Sequence, residues 1–102
     1  MESYFLQTPN INMNLLEESE IITRSVYQFI SRIERVSPYK SCVKFNLVES
    51  KAGEYMARLE VVANSFEILL TKKNASLETL LAEFDQAFDD RLKPWLEGRF
   101  SA

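Results

Sequence analysis

Over residues 76–95 the chain reads SLETLLAEFDQAFDDRLKPW, and its apolar positions restrict what the rest can fold into. Leu77, Leu80, Leu81, Phe84, Phe88, Leu92 and Trp95 recur at i, i+3, i+4 and i+7, the spacing of one helix face. Glu83, Asp85, Asp89 and Asp90 fall off that face and need water. Ser76 is placed to cap the first turn by accepting an otherwise unpaired amide, and Glu78 sits well near the positive helix end. Full burial of one leucine or phenylalanine is worth about 1.5–3 kcal/mol. So long a stripe needs a cover from elsewhere in the sequence.

The cover is legible in residues 39–70, where the hydrophobic period changes to two. In residues 39–49, Val43, Phe45 and Leu47 share one side, and Cys42, Lys44, Asn46 and Val48 the other. Ser50, Lys51, Ala52 and Gly53 predict a hairpin turn. Tyr55, Ala57, Leu59 and Val61 then face inward, with Glu54, Met56, Arg58, Glu60 and Val62 outward. A second turn is expected at Ala63, Asn64 and Ser65, because asparagine tolerates left-handed backbone. Phe66, Ile68 and Leu70 complete the inward set, Glu67 and Leu69 the outward one, and residues 72–75 lead into the helix. The pattern is an antiparallel meander with one covered face.

Ahead of it, residues 17–36 return to helical spacing. Ile22, Val26, Phe29, Ile30, Ile33 and Val36 form the stripe, Ser19 or Asn14 is the cap, and Ser37 before Pro38 ends the helix. A first strand is expected within residues 4–13, where residues 3–7 and 10–13 are both strand-like around Thr8 and Pro9. A helix between the first two strands suits a right-handed parallel crossover. Pro94 is expected to stop or kink the last helix, with Gly98 as terminator. The expected fold is α+β, a two-layer sandwich of order β-α-β-β-β-α, with two helices on one face of a four-stranded sheet. At 102 residues it forms a single domain spanning residues 1–102.

Chemistry is scarce. The chain has no histidine, so the commonest general base and metal ligand are missing. A single cysteine, Cys42, cannot form an internal disulfide, which suits a reducing compartment. No apolar run reaches the ~20 residues of a membrane span, and residues 1–14 lack a signal-type apolar core, so a cytoplasmic location is expected. No phosphate-binding glycine loop or metal-ligand spacing occurs. Asp85 and Asp89, four apart, could offer oxygen ligands to a cation, but the solvated face of a helix lying over a sheet is the better account of them. Neither catalysis, a metal nor a cofactor is expected.

The net charge of −3 gives no global attraction to nucleic acid. Split by segment it says more. Residues 76–93 hold five acids and two bases, whereas residues 39–73 hold six bases and four acids. Lys40, Lys44, Lys51, Arg58, Lys72 and Lys73 therefore put positive charge on the strands and turns, a candidate RNA contact. The outward face of the meander also carries Cys42, Val48, Met56, Val62 and Leu69. That is more apolar area than a face meant for water needs, so a partner is expected there, a two-fold homodimer by default.

Several of these positions resemble the family of ribosome hibernation-promoting factors and ribosome-associated inhibitors. In that family the first helix has a threonine-type cap, an aliphatic residue three on, and repeats at +4, +8 and +11; Ser19, Ile22, Val26, Ile30 and Ile33 match. Ser76, Leu77, Leu80 and Leu81, then Phe84, Phe88 and Leu92, resemble its final helix. The meander length and the turn at Asn64 and Ser65 also agree, so the resemblance covers about residues 10–95. It implies a β-α-β-β-β-α fold and occupation of the messenger and transfer RNA channel of the small ribosomal subunit through basic residues. By position these are Arg24, Arg32 and Arg35 on the first helix and Arg91 and Lys93 on the last. Where the family carries lysine and arginine on the last helix, this chain has Asp85, Asp89 and Asp90. The long family forms carry an extra dimerising domain, which is not expected here. The implied function is a non-catalytic, ribosome-associated factor in translation regulation and stress response. The alternative is a protein–protein adaptor of the same fold that does not bind RNA.

Overall fold

The structure, a computed structural model, describes residues 11–37, 40–63 and 66–100, with backbone only for 99 and 100. Strand β1 (Ile11–Asn14) alternates half-buried Ile11 and Met13 with exposed Asn12 and Asn14. Residues 3–7, the other candidate for a first strand, lie outside the described residues. Helix α1 (Glu20–Val36) starts where Ser19 Oγ accepts from the Ile22 amide at 3.2 Å, so Ser19 and not Asn14 is the cap. It ends at Ser37, whose extended backbone is what the following proline requires. The Ser37 amide and hydroxyl both donate to the Ile33 carbonyl, at 3.0 and 2.6 Å.

Strands β2 (Cys42–Glu49), β3 (Tyr55–Ala63) and β4 (Phe66–Asn74) form the antiparallel meander, and β1 adds to β2 in parallel to give the order β1-β2-β3-β4. The register is continuous: Phe45 lies opposite Ile11 and Leu59, and Leu59 opposite Leu70. Strand β4 runs to Asn74, past the limit read from the sequence. Thr71 and Lys73 keep the alternation that Leu69 begins, and pairing with β3 holds them in the ladder.

At the β2–β3 hairpin the Gly53 amide donates to the Ser50 carbonyl at 3.0 Å, and Gly53 has φ +85°. Nothing lies within 4 Å of the place a Cβ would occupy, so only backbone strain opposes a side chain there. Gly53→Ala should therefore cost about 1–2 kcal/mol, the left-handed penalty of an L-residue. A thermal melt unchanged from the parent would mean the turn reforms without positive φ.

Helix α2 (Leu77–Phe100) opens at Ser76, whose Oγ accepts from the Thr79 amide at 3.3 Å. It does not stop at Pro94, which lies inside it. Proline costs about 3 kcal/mol in a helix interior. Here Leu92 is buried on one side of it and half-buried Trp95 and Leu96 pack on the other, so the core holds both halves. Trp95 meets Phe66 at 5.4 Å between ring centroids, and Phe66 meets Phe88 edge-on.

Both helices cover one sheet face. Phe45 on β2 touches Phe29 of α1 at 5.5 Å and Phe84 of α2 at 5.7 Å, and those two rings are 6.1 Å apart. Val43, Leu47, Ala57, Leu59, Val61 and Ile68 complete the floor beneath the helices. Val36 departs from its expected stripe. At the last turn of α1 it is 46% exposed and lines the mouth of the cleft between the helices, beside Asp89. Tyr55 and Leu70 are half-buried, lying toward the sheet rim.

Candidate binding face

Two surfaces compete for a function, the helical layer and the open side of the sheet. On the helical layer, Arg32 of α1 pairs with Asp85 of α2, and its guanidinium lies 5.9 Å from the Phe29 ring centroid. Burial pushes the Asp85 carboxyl above its ordinary range; Arg32 opposes the shift and Asp89 adds to it. Glu34 is pushed up by burial as well. Both groups thus hold their charge at a cost near neutral pH, and that cost begins to fall as pH drops through their raised folded-state range and is gone below the ordinary carboxylate range. Arg24 lies 3.8 Å from Glu20, one turn earlier on the same helix, with both side chains in solvent. Arg35, Arg91 and Lys93 are exposed. The basic residues expected on the helices are therefore scattered among acids, with Asp89 and Asp90 exposed between them.

A cleft of about 210 Å³ between the helices is lined by Arg32, Ile33, Val36, Asp85, Phe88 and Asp89. A wider groove of about 510 Å³ lies along the edge between β4 and α2, lined by Thr71, half-buried Lys72 and Lys73 of the strand and by Glu83, Gln86, Ala87 and Asp90 of the helix. Neither brings a nucleophile to a base. Among the described residues no group of three acids, cysteines or histidines could hold a metal ion. No helix of the described residues is long and apolar enough to cross a membrane.

The open side of the sheet has more order. Period two and the register sort its residues into four rungs. The first is Cys42, Val62 and Glu67; the second is Lys44, Glu60 and Leu69. The third is Asn12, Asn46, Arg58 and Thr71, and the fourth is Asn14, Val48, Met56 and Lys73. Every apolar residue expected on this face is there and exposed. Val48 is 42% accessible, Met56 50%, Val62 37% and Leu69 48%; Cys42 is exposed too.

Lys44, Arg58 and Lys73 are the cations of this face. Lys51 sits in the hairpin at the fourth-rung end, and Lys40, at φ 65°, precedes β2 at the other. Lys72, of opposite parity, does not join them. Sequence reading overlooked Asn12, Asn14, Thr71 and the outward placement of Lys73. For Thr71 and Lys73 the signal was present as an alternation that simply continues. For the asparagines it was absent, because their place depends on the β1–β2 register.

What such a face can do is bind. On β2 and β3 it presents apolar residues at both ends, with Lys44, Glu60 and Arg58 between them, and on β4 it carries a charge at each end, Glu67 and Lys73. No family model matches the chain, and no curated protein matches it in sequence.

Proposed function

We propose that the protein is a non-catalytic binding domain of the cytoplasm that acts by occupying a site on the small ribosomal subunit. The observation that carries this reading is topological. Strand β1 joins β2 in parallel through α1, and the meander and α2 follow, the order implied by the resemblance to hibernation factors. Generic packing does not demand that strand, since β1 adds only half-buried residues while the meander supplies the buried floor.

On this reading Lys44, Arg58 and Lys73 meet phosphates from the open face, and the exposed acids of α2 keep the helical layer turned away from RNA. Sucrose-gradient co-sedimentation with ribosomes at low and moderate salt tests it. The chain should travel with the small subunit at low salt. Lys44→Glu with Arg58→Glu should weaken association at least about tenfold and flatten its salt dependence by roughly two phosphate contacts. If the unmodified chain stays at the top of the gradient even at low salt, the ribosome reading fails. If the doubly reversed chain still travels unchanged, RNA contact does not run through this face.

A second reading, a protein–protein adaptor, is favoured by the exposed Val48, Met56, Val62 and Leu69, which RNA phosphates would not use. The acidic outer side of α2 would suit a basic protein partner. An adaptor would remain clear of ribosomes at every salt concentration.

A further inference from the structure

We propose that the open sheet face is self-complementary and pairs two copies of this chain face to face. The outward residues follow a definite order along each strand. Along β3 it is Val62, Glu60, Arg58, Met56, and along β4 it is Glu67, Leu69, Thr71, Lys73. Along β2 it is Cys42, Lys44, Asn46, Val48. Each series complements its own reverse. An isologous contact with its two-fold axis across the strands, between the second and third rungs, lays each strand over the same strand of the other copy, reversed.

Glu60 then faces Arg58, Glu67 faces Lys73 and Val62 faces Met56, each contact made twice. Cys42 faces Val48, Leu69 faces Thr71, and Lys44 faces the Asn46 amide. Both acids of the meander face meet a base, no like charges meet, and on β2 and β3 the apolar ends meet apolar ends. A face shaped only by solvation has no reason for this reversal symmetry. The inner faces of such a pair would meet about 10 Å apart, the spacing of stacked sheets.

Size sets the strength. The paired strands β2, β3 and β4, about 4.8 Å apart and each contributing about seven residues at 3.4 Å per residue, give a face of roughly 340 Å². That is below the roughly 800 Å² per partner of a standard interface, which places the dimer among weak, transient ones. It covers Lys44 and Arg58, and a copy so paired cannot offer them to RNA. Pairing of two copies needs no ribosome and is measured on the purified chain alone.

The test is sedimentation equilibrium of the purified chain over about 1 to 500 µM, spanning the affinity class of small interfaces. A monomer–dimer equilibrium is expected. Arg58→Glu places like charges together twice beside the axis and should weaken association at least about tenfold. Adding Glu60→Arg to it restores opposite charges and should recover most of the loss. Met56→Glu, a half-exposed position in the monomer, should also weaken dimerisation about tenfold or more. Far-UV circular dichroism should show each variant folded. A monomer throughout the range would overturn the proposal. So would a dimer indifferent to Met56→Glu, or a failure of the charge exchange to recover what Arg58→Glu loses.

Discussion

Phe84→Ala is expected to lower the unfolding free energy by about 3–5 kcal/mol, the range for removing a fully buried aromatic side chain. Phe84 has no accessible surface and lies within ring contact of Phe29 and Phe45. Those three rings come from α2, α1 and β2, so the void opens where both helices and the sheet meet. No single neighbour can close it without shifting an element, which puts the cost at the upper part of the range. A small domain is stable by roughly 5–15 kcal/mol, so the variant should survive at room temperature and melt early. Urea titrations followed by tryptophan fluorescence, with equal slopes for parent and variant, give the difference directly. A loss under about 1 kcal/mol would mean that α2 does not lie on this core.

Leu59→Asp should have a still larger effect and abolish cooperative folding. Leu59 is fully buried on the central strand β3, between Phe45 and Leu70 in the register. The change removes a leucine at about 2–5 kcal/mol and leaves a carboxylate without a partner, worth several more. The sum reaches the whole stability of a small domain. One residue earlier the outcome should reverse. Arg58 points to the open face and is exposed, so Arg58→Asp should leave the chain folded at a cost of about 1 kcal/mol, the span of strand preference. Circular dichroism melts of the two variants compare the sheet faces at adjacent positions. A folded Leu59→Asp, or an unfolded Arg58→Asp, would place the sheet the other way round.

The pair of reversals on Lys44 and Arg58 and the exchange of Arg58 with Glu60 use the same face for different ends. The gradient reports on RNA and the equilibrium sedimentation on self-association, so either can fail alone. A chain that dimerises but never meets ribosomes would join the adaptor reading to the self-complementary face. A chain that does both would compete with itself for Lys44 and Arg58.

The alternation of Val43, Phe45, Leu47 and of Ala57, Leu59, Val61 determined the meander, because a strand has one period and only one face could be buried. The helical stripe from Ile22 to Ile33 and that from Leu77 to Trp95 determined the two covers, and Ser19 and Ser76 their starts. These are local properties, and side-chain sorting between water and core reads them without help from distant residues. Tertiary structure decided the rest. Pro94 stays within a helix because Leu92, Trp95 and Leu96 are packed on either side of it. Val36 leaves the core because α1 ends at the mouth of a cleft. Arg32 is claimed by Asp85, 53 residues later, and leaves the basic set. The open face became a pattern only when pairing fixed which residues share a rung. A chain read in order gives each strand its inner and outer sides, but register, a property of two strands together, decides what stands beside what.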